Sequence, residues 1–193
     1  MLRSANALIT RICHDIITPL SAISLGLEAL SEDKYLLQEI KEGLDNANAF
    51  IKFIRELFST KSSTFCYSQS SLQQLVANFL EKHRIQFELK SDFQNIPSIA
   101  GKIIMYNAII AKEIIPFGGT VITKIIDDSG ETTTTYAGNN TIPCFSTDQE
   151  ADHKNIMRLC LLKLLAESGL KITIHQEDSK VIIHEQLINQ QET

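Results

Sequence analysis

His14 stands where a helix would turn it away from the core. Ile12 and Ile16 fall at core spacing on either side of it, and a residue two positions from each lies roughly 160° around the helix from both. Arg11 and Thr18 share its face at i−3 and i+4, with Ser21 seven residues on. A neutral imidazole, with an ordinary pKa of about 6.5, keeps a lone pair on one ring nitrogen near neutral pH. It can take a proton or attack an electrophile, and the Arg11 guanidinium can offset charge on an anionic group in transfer. An outward His beside Arg and Thr also reads as an ordinary solvated residue, and spacing alone leaves both readings open. Pro19 has no N–H to give and should bend the helix just below His14.

The elements that would carry these residues follow from periodicity. Ala5, Ile9, Ile12, Ile16, Pro19, Ile23, Leu27 and Leu30 recur at alternating spacings of three and four, and Leu37, Ile40, Leu44, Ala47, Ile51, Ile54 and Phe58 repeat the pattern. Residues 4–60 therefore read as two helices of about 26 residues, ~39 Å each. They fold back on each other at the polar turn Ser31-Glu32-Asp33-Lys34. Ile17, Leu20, Phe50, Phe53 and Leu57 exceed what one seam needs. That surplus asks for a second hairpin, as in a dimeric four-helix bundle.

Residues 61–68 are polar and read as a linker. Beyond them helices are expected at 70–83, 100–115 and 150–168, and strands at 85–90, 120–126, 132–136, 171–175 and 180–187. Asp127-Asp128-Ser129-Gly130 is a hairpin turn, residues 138–149 are a loop, and the tail from Asn189 is polar. Thr132 to Thr135 reads as an edge or half-exposed strand, and Lys102 and Lys112 as solvated helix charges. The expected organisation is α+β, with a helical hairpin over residues 1–61 followed by helices packed on one sheet over residues 69–188.

Composition excludes several alternatives. Net charge is −5 and no basic stripe is present, which argues against nucleic acid as a partner. No apolar run approaches the roughly 18–20 residues of a membrane-spanning helix, and the N-terminus has no signal-peptide core. The 4 cysteines, Cys13, Cys66, Cys144 and Cys160, are scattered without metal-ligand spacing. They read as reduced thiols in a cytoplasmic protein without a metal of its own. His175 and His184 could meet across the last hairpin, as a ligand pair or as exposed strand residues. The 8 glycines are few for a chain of 193 residues, about 4% against a usual ~7%, too few for several phosphate-cradling loops.

His14-Asp15-Ile16-Ile17-Thr18-Pro19-Leu20 resembles the H-box of sensor histidine kinases, His-Glu/Asp-x-x-Thr/Asn-Pro-Leu. Its placement agrees, since it lies in the first helix of a hairpin that an α+β segment follows. The resemblance implies a phosphotransfer and dimerisation hairpin joined to an ATPase-like α/β sandwich. It implies His14 as phosphoryl carrier and Asp15 as the acid that orients or deprotonates it. Thr18 matches the position that holds a hydrolytic water in such kinases.

The nucleotide boxes of those kinases are degenerate here. Asn107 matches the first Asn of the Asn-x-x-x-Asn helix, but Ala111 occupies the second position and cannot ligate Mg²⁺. Tyr136-Ala137-Gly138-Asn139-Asn140-Thr141-Ile142 retains one glycine of the adenine-reading turn, with Ala137 in place of its Asp. Asp127 to Gly130 is a poorer substitute for that turn than it is a hairpin. Asp152 to Arg158, ahead of the last helix, has no glycine for the lid. An H-box with a damaged ATP site resembles the ChpT-type histidine phosphotransferases of alphaproteobacterial phosphorelays, over residues 4–188. Cys13-His14-Asp15 and the break Pro116 to Gly119 entering a strand add to the likeness. That resemblance implies a homodimer that passes a phosphoryl group through His14. The donor would be the receiver domain of a hybrid histidine kinase and the acceptors response regulators. Arg11, Thr18 and Ser21 would form the docking face. There would be no cofactor of its own, and Mg²⁺ would come with the receiver. The alternatives are a divergent sensor histidine kinase and a non-catalytic receiver-binding scaffold.

Overall fold

The structure, a computed structural model, describes residues 12, 15–25, 27, 34–59, 64–126, 131–138, 156–177 and 179–187. The turn at 31–33, the hairpin turn 127–130, residues 139–155 and the tail from 188 lie outside the described residues. Two helices come first among the described residues, α1, helical at residues 12, 15–25 and 27, and α2 over Lys34–Leu57. Ile12, Ile16, Pro19 and Ile23 are half-buried, as are Ile40 and Ile54, with Ala47 fully buried. Gly43 marks the close approach of the two helices. A β-carbon there would stand 3.2 Å from Ile23 Cγ1 and 3.7 Å from the Pro19 carbonyl oxygen.

That approach divides the apolar repeat of α2. Leu37, Leu44, Ile51 and Phe58, expected in the seam, are exposed, and so is Leu27 on α1. The expected surplus also splits. Ile17 and Leu20 remain exposed, whereas Phe50, Phe53 and Leu57 are buried against the chain's own remainder. The Phe53 ring stacks on Phe79 with centroids 4.0 Å apart. Those three side chains are therefore not bundle core. They bind the hairpin to the α+β part of the chain.

The segment read as a linker contains a strand, β1 (Cys66–Ser68). It pairs antiparallel with β3 (Asn95–Pro97), another strand the periodicity does not reveal, with Tyr67 opposite Ile96. Three-residue strands are too short to show alternation. Between them lie α3 (Gln69–Glu81) and β2 (Ile85–Lys90). Ser68 caps α3, its hydroxyl accepting from Ser71 N–H at 3.2 Å. Gln73 on α3 reaches the outer edge of β2, donating to the Phe87 carbonyl at 2.7 Å and accepting from Leu89 N–H at 2.6 Å. A side-chain amide thus satisfies backbone groups that an edge strand leaves open.

A central helix follows, α4 (Ser98–Ile114), then β4 (Gly119–Ile125), β5 (Thr132–Ala137), α5 (Ile156–Glu167), β6 (Leu170–Glu177) and β7 (Lys180–Leu187). The sheet order is β2-β4-β5-β7-β6, parallel between β2 and β4 and antiparallel elsewhere. Its buried face runs in register from Phe87 through Val121 and Tyr136 to Val181. Helix α4 is apolar nearly all round and buried, as a helix between sheet and neighbouring helices must be. Beyond its end Gly118 has φ +89°, and a β-carbon there would stand 2.7 Å from the Arg84 carbonyl oxygen.

Strand β5 lies between β4 and β7, not at an edge, and Thr132 and Thr134 are fully buried. Their hydroxyls are tolerated inside because a carboxylate, an amide and Thr123 bond them. The mixed α+β organisation expected from the pattern is what the chain adopts. No helix among the described residues is long and apolar enough to cross a membrane.

Candidate functional site

Of the residues singled out by sequence, Arg11 and His14 lie outside the described residues, as do Cys13 and Cys144. Asp15, Thr18 and Ser21 are on α1 at spacings of three, which puts them along one side of the helix. Thr18 and Ser21 are exposed, while Asp15 is half-buried. Asp15 turns inward because Lys112 meets it. The Lys112 Nζ stands 3.2 Å from Asp15 Oδ2, and the two side chains are 22% and 17% exposed. Lys112 lies in the last turn of α4, where a cation also complements the negative end of the helix dipole. It is thus not the solvated charge its sequence context implies. The next residue, Glu113, accepts from Arg158 Nε of α5 at 2.9 Å. One turn of α4 therefore holds the first helix with one residue and the last helix with the next.

Two more basic side chains surround that contact. Lys82, just past α3, places Nζ 5.1 Å from the Phe50 ring centroid and 5.9 Å from that of Phe79. Burial, then the Lys112 charge, lowers Lys82 from the usual lysine range, with Asp15 pulling the other way. Burial, then the charges of Lys82 and Lys112, takes His83 down to about 4. His83 is therefore neutral near pH 7. Its Nε2 is buried without a hydrogen-bond partner among the described residues, and its ring lies edge-on to Phe79 at 6.1 Å.

The asparagine that matches the kinase motif is turned inward. Asn107 is fully buried in the middle of α4. Its Nδ2 donates to Glu185 Oε1 at 2.8 Å and to Thr134 Oγ1 at 3.0 Å. Thr132 donates to Glu185 Oε2 at 2.7 Å, and Thr123 and Thr134 share a hydrogen bond of 3.1 Å. Tyr136 donates to the Asn107 carbonyl at 3.3 Å. Burial pushes Glu185 up to about 7, against the hydrogen bonds from Asn107 and Thr132 that pull it down. The residue whose position matches a Mg²⁺-binding asparagine thus spends its amide N–H groups on strands β5 and β7.

His175 and His184 do meet, ring centroids 5.5 Å apart and edge to face, with His184 Nδ1 2.9 Å from Thr133 Oγ1. Among the described residues no group of three His, Cys, Asp or Glu side chains is arranged to hold a metal. Sequence reading missed Lys112, Lys82 and Glu185. Only Glu185 carries a visible signal, since Val181, Ile183 and Glu185 share one strand face. Lys112 is 97 residues from Asp15 in the chain, and nothing local announces that pairing.

No protein-family profile matches the chain. It is 27% identical over 190 residues to the protein phosphotransferase ChpT of Brucella abortus (strain 2308), an alignment covering 91% of each chain. A solved bacterial phosphotransferase shares its fold at a TM-score of 0.83, with 23% identity over 96% of this chain and 97% of that one. Neither alignment is confined to the H-box; both run through the hairpin and the sheet alike. The likeness read from His14 to Leu20 and from the degenerate nucleotide boxes therefore extends along the chain, which resembles a ChpT phosphotransferase over 91% of its length.

Proposed function

We propose that this chain is a histidine phosphotransferase that relays a phosphoryl group between receiver-domain aspartates through a phosphohistidine at His14, without using ATP. The burial of Asn107 carries the second half of that reading: its side chain is fully buried and its Nδ2 donates to Glu185 and Thr134. The similarity to a protein phosphotransferase over 91% of the chain supports the first half. Residues 1–61 form the phosphotransfer and dimerisation unit. Residues 69–188 form an ATPase-like α/β sandwich that no longer serves a nucleotide.

The chemistry needs no cofactor resident on this chain. A donor receiver brings an aspartyl phosphate and its Mg²⁺, and docks along Arg11, Thr18 and Ser21. The lone-pair nitrogen of His14 attacks phosphorus in line with the aspartyl oxygen. The P–O bond breaks as the P–N bond forms, and the donor carboxylate leaves as the anion. The proton stays on the second ring nitrogen. Arg11 offsets charge on the transferring group, and Asp15 orients the imidazole. A response regulator takes the group by the reverse path. Catalysis is mainly positioning. The protein works as a homodimer in the cytoplasm.

The test is to incubate the full chain with a receiver domain carrying labelled aspartyl phosphate. Acid-labile label on His14 is expected in wild type and none in His14→Ala, with no Mg-ATP binding in a parallel titration. Transfer by His14→Ala at the wild-type rate overturns the reading, and tight Mg-ATP binding makes the chain a kinase instead.

A further inference from the structure

Lys112 belongs to the body of the molecule, and Asp15, next to His14 in the sequence, to α1. Their ion pair, at 3.2 Å and largely shielded from water, joins the two parts one residue from the proposed phosphoryl carrier. Helix α4 gives Lys112 little freedom. Ile109, Ile110, Ala111 and Ile114 around it are buried, and the adjacent Glu113 is tied to Arg158. The ammonium is thus presented from a rigid base. On the other side, Asp15 lies on α1 and turns its carboxylate toward the end of α4. A carboxylate turned toward the body is well placed to fix the helix that bears it. Lys82 and His83 close the same corner, one over the Phe50 and Phe79 rings and the other edge-on to Phe79.

We propose that Lys112 is a positioning residue for phosphotransfer: from the end of α4 it anchors the Asp15 carboxylate, and through that anchor sets the helix at His14 in the orientation that meets a receiver. This rests on the reading of His14 as phosphoryl carrier, and it specifies how Asp15 orients the ring. The helix that matches the nucleotide-binding helix of kinases here holds the phosphotransfer helix in place. Lys112 itself touches neither phosphorus nor receiver.

The experiment measures labelled phosphohistidine formation against receiver concentration, using the full chain and a receiver domain charged with labelled aspartyl phosphate. Lys112→Met is expected to lower the saturating rate on the order of tenfold, within the range that small misplacements cost, and to leave the half-saturating receiver concentration unchanged. Lys112→Arg, which preserves the cation, is expected to transfer at the wild-type rate. The charge swap Asp15→Lys with Lys112→Asp is expected to recover most of the rate that Asp15→Lys alone loses. Circular dichroism of each variant verifies folding. A wild-type rate in Lys112→Met overturns the proposal. So does a swap no faster than Asp15→Lys, because the carboxylate is then needed at position 15 itself. Absence of label on wild-type His14 brings down the functional reading first, an outcome distinct from either of these.

Discussion

Glu185 carries its carboxyl into a space without exposed surface, between Asn107 and Thr132. Burial raises it from 4.5 to about 7, so the folded chain holds a proton where the unfolded chain has lost it. Folding takes up that proton between pH 4.5 and about 7, and stability falls as pH rises through the window, by about 3 kcal/mol in all. His83 acts in the opposite sense. Its folded value of about 4 lies below the ordinary 6.5, so the stability it contributes is present above 6.5 and lost as pH falls toward 4. The two slopes oppose each other where they overlap. Glu185→Gln keeps an amide among the same partners and removes one slope. Its stability to urea is expected to rise from about pH 5 to about pH 6.5, where wild type is nearly flat, and to exceed wild type above about pH 7. A variant whose profile parallels wild type means that Glu185 is ionised in the folded chain. The strand alternation of Val181 and Ile183 placed this carboxyl on the buried face, so its burial was legible in the sequence. Its partner was not, because Asn107 lies 78 residues away and matched a motif that assigned it to a metal.

At the scale of elements, the hairpin is anchored to the body by the C-terminal half of α2. Phe53 is fully buried and its ring stacks on Phe79 at 4.0 Å, while Phe50 and Leu57 flank it inside the same core. Phe53→Ala is expected to cost about 3–5 kcal/mol, the range for deleting a buried ring. Urea unfolding followed by circular dichroism reads that loss as a lower midpoint. Exposed Asn48 on the same helix is the control, and Asn48→Ala is expected to leave the midpoint almost unmoved. A small loss in Phe53→Ala would show that the hairpin docks weakly. Periodicity revealed that α2 was apolar on more than one side, and the helix formed where the pattern placed it. Periodicity reports that a face is apolar but not what covers it. The phenylalanines were therefore assigned to a second hairpin when their own chain covers them. The strands of the sheet were legible because six to eight residues suffice for alternation, whereas β1 and β3 were not.

For the whole molecule, the apolar surface that the chain leaves uncovered is ordered. Leu37, Leu44 and Ile51 follow one another at seven-residue spacing on α2, 54%, 49% and 46% exposed, and Ile17, Leu20 and Leu27 line α1 at 58%, 49% and 56%. Seven-residue spacing is the repeat of a helix that meets another helix, and the chain's own seam at Ile40, Gly43 and Ala47 is already filled. A second copy related by a two-fold axis would bring equivalent stripes together and bury each residue twice. Each leucine buried in that way contributes about 1.5–3 kcal/mol. A single Leu44→Glu therefore removes two such contributions per dimer and adds two unpaired carboxylates, enough to weaken association by on the order of a hundredfold or more. Sedimentation at micromolar concentration is expected to give twice the chain mass for wild type. Leu44→Glu and Ile51→Glu together are expected to give the chain mass, with helical content retained because both side chains are already exposed in the single chain. If the double variant sediments as wild type does, the stripe is not the dimer interface. If wild type itself sediments as a single chain, the four-helix bundle does not form, and a receiver would have to meet His14 on a lone hairpin.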